Sequence, residues 1–238
     1  MEIKYNESNP LRVFEAFGGY GSQSMALKRL KRDFPCFDYR VIGYSDIDRD
    51  AIAAYMALHK GEGVVNYGDV SKIDWESVPD FDLFTYSFPC TDISQAGQQQ
   101  GLAAGSGTRS SLLWECERAI DIKRPKFLLM ENVAALVSAK FIREFHTWLA
   151  VLERYGYSSF SEILNAKDFG VPQNRDRVFV WSIRNDGEEP RYYFPQPFKL
   201  EKRLVDVLED EVDEKYYISD DRIRQFLDEE DGNEECAD

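Results

Sequence analysis

Short apolar runs alternate along this chain with longer segments whose apolar residues recur at helical spacing. The runs Leu11–Phe17 (LRVFEAF), Tyr39–Asp46 (YRVIGYSD), Asp80–Phe88 (DFDLFTYSF) and Pro125–Asn132 (PKFLLMEN) read as strands. A further short strand is expected before Asp69. Between them, Gln23–Phe34, Arg49–Lys60, Ser111–Arg124 and Ala139–Gly156 carry helical patterns, the first with Met25, Leu27 and Leu30 available to pack inward. Such alternation predicts an α/β fold: a doubly wound, mostly parallel, Rossmann-like sheet. After Gly156, Tyr157–Asn165 and Arg177–Arg184 are two strands with no helix between them, which predicts an antiparallel hairpin at the sheet edge.

Two stretches break the alternation. From Cys90 to Thr108 the chain is rich in Gly, Gln, Ala and Ser without an apolar period, too long for an ordinary strand-to-helix link. A surface insert and a lid both suit that composition, and its place directly after Pro89-Cys90 favours the lid. Beyond Pro190 the chain becomes proline-punctuated and then acidic, with short helices expected at Arg203–Asp210 and Asp220–Glu230 and disorder in the last residues.

At 238 residues and 43% hydrophobic composition, one main core is expected. The net charge of −14 is concentrated. Residues 206–238 hold 15 acidic side chains against Lys215, Arg222 and Arg224, a net of −12, which leaves −2 for residues 1–205. Two units follow: a near-neutral domain over 1–205 and an acidic segment over 206–238. No run is apolar enough to span a membrane, and the opening MEIKYNESNPLRV lacks the layout of a secretion signal, so a cytoplasmic protein is expected. Four cysteines without C-x-x-C spacing and two histidines argue against a metal site and against disulfides.

The candidate chemistry sits at the strand ends. Gly18, Gly19 and Gly21 follow the first strand and precede a helix, an arrangement that lets backbone approach a ligand, although FGGYGS is not the full G-x-G-x-x-G pattern and a plain tight turn also explains it. Asp46 and Asp48, at the end of the second strand, can accept hydrogen bonds from ribose hydroxyls, and Asp69 can bind an adenine amine or simply cap a helix. An NAD enzyme and an S-adenosylmethionine enzyme both account for such a site. Cys90 follows Pro89 at the mouth of the next strand, where a thiol and the carboxylate of Glu131 meet in one cleft. An isolated cysteine is usually a small buried hydrophobe; this position favours a nucleophile. Gln173, Arg175 and Arg177 alternate into the last strand and are expected to face one way, toward an oxygen-rich ligand or toward solvent.

In order, Phe17-x-Gly19-x-Gly21, Pro89-Cys90, Glu131-Asn132-Val133 and Gln173-x-Arg175-x-Arg177 resemble the motifs of the DNA cytosine-5 methyltransferases, over about residues 11–184. The resemblance implies the S-adenosylmethionine-dependent methyltransferase fold and DNA as substrate. It also assigns residues. Phe17, Gly19 and Gly21 would cradle S-adenosylmethionine, Asp46 would hold its ribose, Ile47 would pack on the adenine, and Asp69 would bind the adenine amine. Pro89 and Leu112 would line the same pocket. Cys90 would attack carbon 6 of cytosine, Glu131 would act at N3, Arg177 would contact O2 with Arg175 in support, and the stretch from Ser94 to Thr108 would be the catalytic loop.

The resemblance departs at Thr91, where the family usually has Gln, and after the last strand. Complete members continue into a target-recognition domain and a closing helix, and the 61 residues after Arg177, acidic in overall charge, cannot build these. The expectation is the catalytic half of a split enzyme or a truncated product. A second polypeptide would bring the recognition domain and the helix, and the chain would expose an apolar groove where that helix belongs. The competing expectation is a non-catalytic regulatory or binding fragment. An NAD oxidoreductase leaves Pro-Cys and Q-x-R-x-R without a task.

Overall fold

The computed structural model describes residues 4–60, 63–89, 112–187 and 189–224. Six strands form one sheet: β1 (Leu11–Ala16), β2 (Tyr39–Ser45), β3 (Leu83–Tyr86), β4 (Phe127–Val133), β5 (Tyr157–Asn165) and β6 (Asp176–Arg184). Their order is β2-β1-β3-β4-β6-β5. β2, β1, β3 and β4 are mutually parallel, and β6 runs antiparallel between β4 and β5. The helices are α1 (Ser22–Asp33), α2 (Arg49–Leu58), α3 (Leu113–Lys123) and α4 (Ile142–Arg154).

Local chemistry explains the elements. α2 starts where the Asp48 carboxylate accepts the N–H groups of Asp50 and Ala51. α1 has Gly21 at its N-cap and no cap from its own side chains, but ends on Lys31 and Arg32, whose charges suit the helix C-terminus. Among the described residues before Asp69 the expected strand is absent. Asn66 makes only an isolated parallel bridge to Tyr44, with Gly68 in the left-handed region just beyond it. The segment at 204–207 is a single 3-10 turn rather than a longer helix. Every described residue from 201 to 224 is exposed.

The two faces of the sheet are unequally covered. On one, Phe14, Phe84, Leu128 and Val180 pack against Ile120 of α3 and Trp148 of α4 in the main core. On the other, Leu11, Val13, Val41 and Leu83 form a smaller cluster that Leu27 of α1, Leu129 and Trp181 only partly cover. β4 shows the asymmetry directly: Leu128 and Met130 are buried while Phe127, Leu129 and Glu131 are half-buried. A strand apolar on both faces normally has both covered. Here the second face opens over β3, β4 and β6 as a groove of ≈ 1050 Å³ between α1 and the segment around Tyr192 and Pro195.

Candidate active site

The turn after β1 is held in an unusual backbone conformation. Phe17 has φ 56, Gly19 φ 55 and Gly21 φ 82. For an aromatic residue such as Phe17 the left-handed region costs about 1–2 kcal/mol, and strain of this kind collects at functional sites. The Gly18 N–H donates to the Ser45 carbonyl at 3.0 Å and the Gly21 N–H to the Gly18 carbonyl at 2.8 Å, so the turn is pinned across the mouths of β1 and β2. The Gly19 N–H donates to Asp46 Oδ2 at 2.8 Å.

Three observations fit a nucleoside-type ligand here. A Cβ on Gly19 would meet nothing within 4 Å, so the turn opens onto free space on that side. The Ser45 hydroxyl, buried beside the turn, has no hydrogen-bond partner among the described residues. Ile47 is 73% exposed, an apolar side chain free to cover a flat ring. The acids are less free: Asp46 Oδ1 accepts the Asp48 N–H at 2.9 Å, and Asp48 itself is the α2 cap. Asp69 caps a 3-10 turn and accepts from both the N–H and the hydroxyl of Ser71, which lowers its pKa below the usual carboxylate range.

Farther along the strand mouths, Glu131 Oε1 and Arg177 Nε form an ion pair at 3.0 Å, with side chains 24% and 21% exposed. The antiparallel register sets Val133 opposite Arg177 and Glu131 opposite Phe179, so the two are diagonal neighbours within reach of a long side chain. Phe17, Gly19, Glu131, Arg175 and Arg177 all line the groove. Asp46, Ile47, Asp69, Pro89, Leu112 and Gly21 are not among its lining residues. Leu112 packs half-buried against the main core. The expectation that Gln173, Arg175 and Arg177 alternate on one face needs correction. β6 begins only at Asp176, and the Gln173 N–H closes a tight turn onto the Val171 carbonyl, so Gln173 stands exposed outside the groove. Cys90 and the lid expected at 94–108 lie outside the described residues.

Three further residues shape the site: Asn132 of the Glu131-Asn132-Val133 motif, and Glu15 and His59, which the sequence did not assign to it. Asn132, buried next to Glu131, donates through Nδ2 to the Phe88 carbonyl at 3.0 Å and so ties β4 to the chain entering Pro89. Glu15 is fully buried, and its carboxylate accepts from the Ser24 N–H and hydroxyl and from the Tyr55 hydroxyl. Burial pushes its pKa up against those bonds. By accepting a first-turn N–H of α1 it supplies from the sheet the cap that α1 lacks. Its signal was an acid on the same strand face as Leu11 and Val13. His59, buried at the end of α2, contacts the turn itself. Among the described residues no group of three or more His, Cys, Asp or Glu side chains is placed to hold a metal ion, and no helix is long and apolar enough to cross a membrane.

The family model for C-5 cytosine-specific DNA methylases matches residues 11–238. The chain belongs to that family. Its members transfer a methyl group from S-adenosylmethionine to cytosine. The chain is 40% identical over 264 residues to the type II methyltransferase M2.ScrFI of Lactococcus lactis subsp. cremoris, covering 90% of this chain and 71% of that protein. It is 35% identical over 269 residues to the orphan methyltransferase M.SssI of Spiroplasma monobiae, covering 88% and 68%. Among solved structures, a DNMT2 variant from Spodoptera frugiperda superposes with a TM-score of 0.68 at 19% identity, covering 88% of this chain and 62% of that one. The DNMT2 methyltransferase of S. pombe gives 0.65 at 21%, covering 92% and 66%. These two likenesses carry the fold, and the chain spans less than two thirds of either structure.

Proposed function

We propose that this chain methylates carbon 5 of cytosine in DNA through a covalent adduct at Cys90. The observation that carries the reading is the Glu131–Arg177 pair, set in the same groove as the opened glycine turn and on the strand that Asn132 ties to the approach to Cys90.

Carbon 5 of cytosine is a poor nucleophile. The Cys90 thiolate adds to carbon 6, and the displaced π electrons make the ring enamine-like at carbon 5. Glu131 shares a proton with N3, so that charge building on the ring is neutralised, and Arg177 donates to O2 with Arg175 beside it. S-adenosylmethionine, when bound, supplies an electrophilic methyl group. A base then removes the carbon 5 proton, the carbon–sulfur bond at carbon 6 breaks, the thiolate leaves, and the N3 proton returns to Glu131. The target base must leave the duplex stack to reach these groups. Phe17, Gly19 and Gly21 would shape the turn that holds the cofactor, Asp46 would hold its ribose, Ile47 would cover the adenine, Asp69 would receive the adenine amine, and Pro89 and Leu112 would flank it.

We further infer that a second polypeptide supplies the DNA-recognition surface and a helix that covers the apolar part of the groove beside Leu129 and Trp181, leaving the end at Gly19, Glu131 and Arg177 open. The support is the shape: α1 forms one wall, Tyr192 and Pro195 the other, and half-buried Leu129 and Trp181 the floor. Residues 1–205 form the catalytic unit in this reading and 206–238 an acidic segment outside it. Transfer of a labelled methyl group to DNA, measured with and without the polypeptide encoded beside this chain, tests both parts. The expected result is 5-methylcytosine formed at ordinary rates only with the partner. Full activity of the chain alone removes the partner, and labelled adenine in place of cytosine removes the reaction.

A further inference from the structure

The glycine turn has an open side and a supported side. Gly19 faces free space, whereas a Cβ on Gly21 would stand 2.4 Å from His59 Nε2 and 2.8 Å from Tyr55 Cε2. His59 is 4% exposed at the C-terminus of α2, its ring 4.4 Å from that of Tyr55, which in turn stacks at 3.9 Å on Tyr44 of β2. The imidazole bridges two elements. Nε2 lies 3.2 Å from the Tyr20 carbonyl and Nδ1 lies 3.1 Å from the Lys28 ammonium of α1. One tautomer satisfies both contacts: Nε2–H donates to the carbonyl, and the Nδ1 lone pair accepts from the ammonium.

We propose that His59 is a positioning residue of the methyl-donor site, holding the Tyr20 carbonyl so that the turn presents Gly19 and its contact with Asp46 to the ligand. The physical reason is the backbone. Phe17, Gly19 and Gly21 all sit in the left-handed region, a conformation that a free turn would leave, and the turn's own hydrogen bonds reach only as far as Gly21. Tyr20 is itself 53% exposed, so its side chain does not anchor the turn. His59 restrains the Tyr20–Gly21 peptide from the side away from the open space at Gly19. Glu15 completes the support from beneath by accepting the Tyr55 hydroxyl at 2.7 Å.

The inference rests on the glycine turn being the cofactor site. It is tested by calorimetric binding of S-adenosylhomocysteine to the full chain, with thermal melting alongside. Glutamine carries an amide nitrogen near the place of Nε2, and asparagine mimics Nδ1 instead. His59→Gln is expected to bind within threefold of wild type, and His59→Asn to bind roughly tenfold more weakly, the loss of about one hydrogen bond's worth of order in the turn. Asparagine binding as wild type does, or both variants losing affinity equally, overturns the positioning role. If His59→Asn does not fold, Lys28→Gln decides: about a threefold loss of affinity supports the role, and unchanged affinity overturns it. A wild-type chain that binds no S-adenosylhomocysteine overturns the cofactor site and the buttress together, whereas wild-type binding with an indifferent His59→Asn overturns the buttress alone.

Discussion

Glu131 and Arg177 come from strands of opposite direction and meet diagonally at 3.0 Å, so the register of β4 on β6 sets the distance between the proposed acid and the proposed O2 donor. In a purely parallel sheet the strand after β4 would carry its residues up to the same mouth by a helix crossover. The antiparallel insertion instead brings β6 down from that mouth, and Arg177 near its start stands opposite Val133, the last residue of β4.

This pair is expected to act as a unit. Glu131→Gln should lower the rate of methyl transfer by about 10²–10⁴-fold, the range for a lost acid-base group. Arg177→Ala should weaken transfer comparably, and the double variant should cost far less than the product of the two. Single-turnover kinetics on cytosine-containing DNA measures all three.

The unequal faces of the sheet give a stability prediction. Leu128→Ala, on the covered face, should cost about 2–5 kcal/mol in urea unfolding, as buried leucine truncations do. Leu129→Ala, one residue later on the groove side, should cost about 1 kcal/mol or less for the chain alone. If the partner helix covers this part of the groove, its addition should raise the cost at Leu129 toward that at Leu128.

Glu15 yields a pH dependence. Its carboxyl pKa is raised in the folded chain by burial, so the folded state holds a proton that the unfolded state has already lost. Stability from this group is therefore largest at low pH and declines as pH rises above the ordinary carboxylate range. Glu15→Gln should remove that decline, seen as a flatter profile of unfolding free energy from pH 4.5 upward in the variant than in wild type.

Asp186 works in the opposite sense. Its hydrogen-bonded ion pairs with Arg184 and then Lys126 hold its pKa down, to about 2. The stabilisation is present above the unfolded value near 3.8 and is lost as pH falls through the window toward 2. Because the side chain is 45% exposed, the pairs should contribute about 1 kcal/mol or less. Acid unfolding of Asp186→Asn should begin from a slightly lower stability and fall less steeply below pH 4.

The sequence made the sheet legible because its strands are short, apolar and separated by helical periods. Tyr157–Asn165 coincides with β5 residue for residue. The interposed position of β6 was not legible, since pairing order depends on packing rather than on the pattern of any one strand. The missing strand before Asp69 failed for a local reason: Gly63 and Gly68 flank a segment with a single bridging residue. At the site, the motifs located the groove residues Phe17, Gly19, Glu131, Arg175 and Arg177. They could not place Gln173, whose turn ends before β6 starts, and they were silent on His59, whose role depends on α2 packing against the glycine turn.

The adduct at Cys90 is the central claim. Its direct test is incubation of the chain, with its partner polypeptide and S-adenosylmethionine, on DNA carrying 5-fluorocytosine, where the fluorine cannot be removed and a covalent intermediate persists. The expected result is a denaturation-resistant protein–DNA complex that Cys90→Ala abolishes and Glu131→Gln forms far more slowly. An equally stable complex with Cys90→Ala, or none with wild type although methylated cytosine accumulates on ordinary DNA, would contradict the mechanism.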